Sequence, residues 1–420
     1  MRFPRRIFRS IFDLGSGEIL ARLCGIASIL ILARRFGVVT VGVYALAQSM
    51  VQYSYPFIDF GLRHVGARLI AKYPQAGQEI VEQVQKRRMA MGAAIVPFLL
   101  LYAVVSNLPL ELKIFLFLFS AISCLYAISL EWVAWGREHL RLVGLTRAAV
   151  PGAVLLFLLL GIRSSNVLWW MVAGNAVGYG LLAVIFWDWW RRHKPPTEQR
   201  IPLAIVQENL AWRRTSIMGL AWLCNLAFVT IDMLMLGAMS NAHEVGLYSA
   251  AYRTMNQVLF TYYLLTQVLY PRLARQEAEQ RRHALKPQIL LLLLGAGTAI
   301  AAVLALSRRV VLEVVFGRQF LPAAFLLLLL AWAIPLDFLT SYLSNAYIAW
   351  GMERKILLCT AIAAGSNIVL NLIWIPAYGA TAAAVNTLIS YVIFLASLAL
   401  AGRYAKELAR SPQPQAELIA

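Results

Sequence analysis

From Ile356 to Gly402 the chain runs without a single charged residue. A helix crossing about 30 Å of hydrocarbon needs about 20 apolar residues, so this stretch is long enough for two crossings. Ile375, Pro376, Ala377, Tyr378 and Gly379 punctuate its middle and predict a tight external turn between them. The same reading places apolar blocks of suitable length at 15–34, 41–60, 89–108, 111–135, 145–162, 167–190, 216–239, 246–270, 288–307, 321–349, 356–376 and 380–402. In lipid every backbone polar group must be satisfied within the protein, which leaves helices as the solution for such blocks. The expected fold is therefore all-α, a polytopic bundle of about twelve spans.

Composition agrees. Of 420 residues, 60% are hydrophobic and 14% charged, with a mean hydropathy of +0.68, against roughly 25% charged in soluble domains. A soluble helical repeat would show amphipathic periodicity in place of solid apolar blocks. The net charge of +18 would suit a nucleic-acid binder, but cytoplasmic loops of membrane proteins also collect Lys and Arg. Position decides. With the N-terminus inside, the external segments hold only Arg34, Arg35, Lys113, Arg163, Arg308, Arg309 and Arg318, while Arg22 and Arg253 lie within spans; the other 29 of the 38 basic residues are internal. Both termini are expected in the cytoplasm, and no nucleic-acid partner is needed. Arg2, Arg5, Arg6 and Arg9 read as a cytoplasmic anchor, not a removable signal peptide.

The basic segment at 191–215 falls mid-chain and predicts two six-helix halves, 1–190 and 216–403, followed by a tail at 404–420. A faint repeat supports this. Val41-Gly42-Val43-Tyr44-Ala45-Leu46-Ala47 matches Val245-Gly246-Leu247-Tyr248-Ser249-Ala250-Ala251, and Ala134-Trp135-Gly136-Arg137-Glu138 matches Ala349-Trp350-Gly351-Met352-Glu353. An even number of spans per half gives the halves one orientation, as in several transporter classes.

Polar groups inside spans are costly and mark a bundle interior or a watery cavity. They form stripes at helical spacing. The first span carries Glu18 and Arg22; the second Gln48, Gln52, Tyr55 and Asp59; the seventh Asn225 and Asp232; the eighth Arg253, Asn256, Gln257 and Thr261. The tenth carries Asp337, Thr340, Ser341, Ser344 and Asn345, with Pro335 disturbing the helix just before. Ser123 and Glu131 add a weaker contribution from the fourth. Spans 3, 5 and 9 carry almost nothing polar and are expected to face lipid, with the striped spans around a central cavity. The opposing reading is internal pairing, Arg22 with Glu18 and Arg253 with Asp232. Asp59 and Glu131 lie near internal ends, where loop arginines can reach them. All five histidines sit in loops, which excludes an intramembrane histidine relay.

The four cysteines lie singly inside apolar blocks, so neither disulfide nor metal site is indicated. No HExxH, no P-loop and no Gly-x-Ser-x-Gly elbow is present. The expectation is a transporter, not an enzyme, and one without a nucleotide site.

Val245 to Arg253, preceded by Ile231-Asp232-Met233-Leu234-Met235-Leu236-Gly237, resembles the middle of the polysaccharide-biosynthesis exporters, the Wzx-type flippases of the multidrug/oligosaccharidyl-lipid/polysaccharide superfamily. Asp59-Phe60-Gly61-Leu62, Phe316-Gly317 and the run from Asn371 to Ala384 fit the same family, although Ala380 stands where the family more often has glycine. The resemblance implies a bacterial inner-membrane flippase for a polyprenyl-diphosphate-linked oligosaccharide, working by alternating access, with a polysaccharide polymerase complex as a possible partner. It implies diphosphate binding by Arg22 and Arg253, sugar contacts from Asn256, Gln257 and Gln52, and coupling or gating by Asp337, Asp232, Glu18 and Asp59. No cofactor is implied beyond Na+ or H+ as coupling ion. The alternatives are a cation-coupled multidrug or peptidoglycan-precursor transporter of the same superfamily and, from another class, a membrane glycan polymerase or ligase.

Overall fold

The structure, a computed structural model, describes residues 5–106, 108–164, 166–195, 206–208, 210–274 and 287–408. Among them every regular element is helical: α1 (Arg5–Asp59), α2 (Leu62–Lys72), α3 (Gly77–Val105), α4 (Leu110–Ser123), α5 (Glu131–Gly136), α6 (Leu140–Thr146) and α7 (Ala149–Leu160). They continue with α8 (Val167–His193), α9 (Trp212–Met239), α10 (Ala242–Ala274), α11 (Pro287–Val315), α12 (Ala324–Ala331), α13 (Ala333–Ala349) and α14 (Glu353–Leu408), with short 3-10 turns between some of them. Eight helices among the described residues are long and apolar enough to cross a membrane, or nine when the bent pair around Trp332 counts as one span. Two compact units emerge, Met1–Leu223 and Cys224–Ala420. Much of the expected linker at 191–215, and the tail beyond Leu408, lie outside the described residues.

Two of the crossing helices are twice the needed length because each doubles back at a glycine. In α14, Asn386 Nδ2 donates to Asn371 Oδ1 at 2.8 Å. Fifteen residues along a straight helix span about 22 Å, so the two asparagines meet only if the chain reverses between them. It does so at Gly379, whose φ of 53° and ψ of −134° only glycine adopts without strain. The Glu244 carboxylate accepts from the Ala380 N–H at 2.9 Å, directly after the reversal. The turn expected at 375–379 is thus present, compressed to one break in a helical run.

The same device shapes α1. Gly37 leaves the helix with φ 86° and ψ −178°. On the first arm, Gly17 packs on the Gly144 carbonyl of α6, and Arg35 Nε donates to the Ile162 carbonyl, just past α7, at 3.0 Å. On the second arm the Tyr55 hydroxyl bonds Tyr179, whose neighbour Gly178 packs on Val150 near the start of α7. Residues 17 and 55 therefore lie at one end of the unit and residue 35 at the other. Small residues bring α8 against α7, with Gly174 on Ala153 and Val154.

Two expected spans are not continuous. The block at 111–135 unwinds after Ser123 into a 3-10 turn at Cys124–Ile128 and an extended Ser129, before α5 resumes. The block at 321–349 bends by 41° around Trp332. Pro335 accounts for the bend, because its ring opposes the carbonyl of Ala331 four residues back.

The lipid-facing expectation fits α11, where Leu292, Val303, Leu306 and Val310 are all exposed, and α3, where Phe98, Leu101, Val104 and Val105 are. It fits α7 only in part. Leu156, Leu159 and Leu160 are exposed, but Val150, Pro151 and Val154 line an internal cavity.

Candidate binding cavity and buried polar clusters

The cavity lies inside the first unit and measures about 340 Å³. The second arm of α1 supplies Tyr44, Gln48, Gln52 and Tyr55 to its wall, spaced so that one helical face presents them all. Gln48 Nε2 donates to the Tyr44 hydroxyl at 2.8 Å. Opposite, α8 supplies Asn175 and Tyr179, one turn apart. Asn175 is buried and donates through Nδ2 to the Phe119 carbonyl at 2.8 Å. Arg147, between α6 and α7, and Glu131, opening α5, complete the charged part of the lining.

The two charged residues of the lining, Arg147 and Glu131, are each paired outside it. Arg147 Nη1 reaches Glu18 Oε2 at 2.7 Å, and Arg22 Nε reaches Glu18 Oε1 at 3.1 Å. The Arg22–Glu18 pairing of the opposing reading is present, and Arg147 makes it a triad. Glu131 Oε1 lies 3.3 Å from Arg63 Nη2. Burial works against the charge of Arg63, but Tyr126, Glu131 and Asp59 together raise its pKa above the ordinary value, so the guanidinium stays cationic.

Joined to Arg63 through Tyr126 is a buried ion pair whose arginine was not expected inside the bundle. Arg88 Nε meets Asp59 Oδ1 at 2.8 Å, both side chains about 1% exposed, and the Tyr126 hydroxyl donates to Asp59 Oδ2 at 3.1 Å. Arg88 was counted among the internal basic residues, just ahead of the block expected at 89–108; α3 instead begins at Gly77 and carries it into the bundle. Its remaining hydrogens answer the break in the fourth crossing. Arg88 Nη1 donates to the Ser129 carbonyl at 2.7 Å and Nη2 to the Tyr126 carbonyl at 3.2 Å. Gln85 Nε2 donates to the Ala127 carbonyl and Trp187 Nε1 to the Ile128 carbonyl at 3.0 Å. Every carbonyl from Tyr126 to Ser129 thereby has a side-chain partner, which is what unwound backbone at membrane depth requires.

The second unit holds a buried cluster around Asp232. Its Oδ1 accepts from Asn371 Nδ2 at 2.6 Å; its Oδ2 accepts from the Tyr248 hydroxyl at 3.0 Å and the Thr387 hydroxyl at 3.2 Å. Asn371 also donates to Asn367 Oδ1 at 2.7 Å. These partners are neutral side chains from α10 and both arms of α14, whereas the opposing reading had paired Asp232 with Arg253. Asn367, Asn371, Asn386 and Thr387 were missed, although a run of amides in an uncharged apolar stretch was the available signal.

Asp337 lies on α13, where its Oδ1 accepts from the Tyr391 hydroxyl at 3.1 Å and its Oδ2 from the Ser341 hydroxyl at 3.3 Å. Arg253 is half-buried on α10, and Asn256 and Gln257, one turn on, are exposed. Gln52 is exposed on α1 at the cavity wall. Among the described residues no group of three or more His, Cys, Asp or Glu is placed to hold a metal ion.

A doubled-back helix in each unit, an unwound crossing and polar side chains buried at span depth define a multi-pass membrane protein. The fold has solved counterparts. It matches "Lipid II flippase MurJ, inward closed conformation" with a TM-score of 0.69 at 13% identity, covering 94% of this chain and 90% of that one. It matches an inward-facing multidrug resistance MATE family transporter of the MOP superfamily with a TM-score of 0.72 at 11% identity, covering 94% and 96%. A MATE multidrug transporter, DinF-BH in complex with R6G, gives a TM-score of 0.66 at 14% identity, covering 96% of each chain. At these identities the likeness establishes the fold, that of the MOP superfamily transporters. No curated protein matches the sequence. The polysaccharide biosynthesis protein family matches residues 7–277. The chain belongs to that family.

Proposed function

We propose that this chain is a flippase that carries a polyprenyl-diphosphate-linked oligosaccharide across the bacterial cytoplasmic membrane for surface polysaccharide biosynthesis. The observation that carries the reading is family membership over residues 7–277 in a chain with a transporter fold. Counting each arm of α1 and α14 as a crossing, and α10 as one more, makes twelve spans, and the distribution of Lys and Arg supports having both termini inside. The cargo's diphosphate and hydrated glycan cannot enter hydrocarbon unaided. Alternating access lets a polar site open to one leaflet and then the other while the polyprenyl tail stays in lipid.

In this reading Arg22 and Arg253 take the diphosphate by charge-assisted hydrogen bonds, and Gln52, Asn256 and Gln257 take sugar hydroxyls. Glu18 and Asp59 gate, by exchanging the arginines that hold them. Asp232 and Asp337 couple transport to Na+ or H+, and a polysaccharide polymerase receives the product. The fold shared with MurJ and MATE proteins supports a second reading, a peptidoglycan-precursor or multidrug transporter.

Deleting the gene separates the two. Loss of surface glycan, with lipid-linked oligosaccharide accumulating on the cytoplasmic leaflet and restored by the intact chain, is the expected result. Unchanged surface glycan with altered drug sensitivity or peptidoglycan synthesis would replace the first reading by the second.

A further inference from the structure

The cavity of the first unit is walled by phenols and amides from two facing helices. Along α1 two amides, Gln48 and Gln52, lie between two phenols, Tyr44 and Tyr55, on one helical face, and across from them Asn175 and Tyr179 add one more amide and one more phenol from α8. Amides and phenols both donate and accept, which suits a ring bearing hydroxyls in several directions. The aromatic faces suit the C–H face of the same ring.

Charge narrows the ligand further. Both carboxylates at the margin are held by arginine, Glu131 by Arg63 at 3.3 Å and Glu18 by Arg147 at 2.7 Å and Arg22 at 3.1 Å. Among the described lining residues the charged groups are Glu131 and Arg147, one of each sign and each already paired, so no unbalanced negative charge awaits an organic cation. A neutral hydroxylated ligand fits this balance. Size sets the last limit, since about 340 Å³ is near the lower end of small-molecule pockets, roughly 300–1,000 Å³. It admits a sugar or two, not a whole repeat unit.

We propose that the interior cavity of the first unit is a saccharide subsite that receives a terminal portion of the cargo glycan. The inference rests on the flippase reading and adds to it a place where glycan structure is sensed, inside one unit.

The test uses the full chain in lipid nanodiscs with four probes: polyprenyl diphosphate, the same lipid bearing N-acetylglucosamine, the same lipid bearing galactose, and tetraphenylphosphonium. At least one sugar-bearing lipid is expected to bind tenfold or more tightly than the bare diphosphate. Gln52→Leu and Gln48→Leu each erase that difference while leaving bare polyprenyl diphosphate affinity and the gel-filtration profile unchanged; Gln52→Asn retains part of it. A sugar preference that survives both leucine variants, or no preference in the wild type, overturns the subsite and leaves the flippase reading standing. Failure of every lipid probe to bind overturns both. Tetraphenylphosphonium binding that Gln52→Leu weakens overturns the subsite in favour of a cation pocket.

Discussion

Arg88 on α3 and Asp59 at the end of α1 form a contact of 2.8 Å with both side chains about 1% exposed. A buried pair of this kind adds little net stability over a well-packed apolar pair, but removal of one partner strands a charge and costs about 3–5 kcal/mol. Here the arginine also holds two carbonyls of the unwound crossing. Arg88→Leu is therefore expected to lower membrane abundance and thermal midpoint in detergent sharply. Asp59→Asn, which keeps hydrogen-bonding capacity for Tyr126, is expected to cost less. Equal midpoints for Arg88→Leu and wild type would show that the unwound segment does not need its clamp.

Glu18 gives the opposite expectation. Its pairs with Arg22 and Arg147 are about one-third exposed, and exposed ion pairs contribute only about 0–1 kcal/mol. Glu18→Gln should fold at wild-type abundance. A fall in surface glycan at that abundance would assign the triad to gating; wild-type glycan levels would make it a surface pair.

Asp232 and Asp337 sit in unlike surroundings, three neutral donors from several helices for the first and two for the second. Asp232→Asn and Asp337→Asn keep the shape of each site and remove its charge. If either residue couples transport, its variant loses the dependence of flipping on sodium or external pH while remaining folded. Flipping that keeps its ion dependence in both variants would reduce the pair to packing.

The reversal at Gly379 predicts a sharp sequence requirement. A Cβ there would lie 2.9 Å from Glu244 Oε2, in a backbone conformation that L-residues rarely adopt, and strain of this type costs on the order of 1–3 kcal/mol. Gly379→Val should reduce folded protein more than Glu244→Ala, which removes only the bond to the Ala380 N–H. Parity between the two variants, read by in-gel fluorescence of a fusion, would contradict the strained reversal.

The twelve-span count is tested by reporters. Fusions after Gly402 are expected to score as cytoplasmic, and fusions at Tyr378 as external. A cytoplasmic signal at Tyr378 would remove the last hairpin from the topology.

The apolar blocks were legible because the bilayer imposes a length that composition alone reveals, and the turn at Pro376–Gly379 because its punctuation is local. The interruption of the fourth crossing was not legible. Nothing between Ser123 and Glu131 is a strong helix breaker, and the residues that compensate the freed carbonyls, Gln85, Arg88 and Trp187, come from two other helices. Arg88 was counted among the internal basic residues for the same reason, since a lone arginine beside Lys86 and Arg87 looks like cytoplasmic charge until its partner is known. Glu18 with Arg22 was legible from one turn of spacing, but Arg147, far along the chain, was not. The cluster at Asp232 was half legible: the carboxylate stood out, while its asparagines resembled ordinary interhelical amides worth about 0.6 kcal/mol each.

The fold-back of α14 has a consequence for how the protein is made. Asn371 and Asn386 satisfy one another across the two arms, and Asn367 joins them. A second arm that entered lipid alone would carry the Asn386 amide into hydrocarbon without the Asn371 oxygen that accepts from it, and the single break at Gly379 leaves little slack for that arm to wait outside. Entry of the two arms as one pre-paired unit avoids that cost. Insertion of α14 is then a single step about twice the length of a lone helix, committed only after the second arm has left the ribosome.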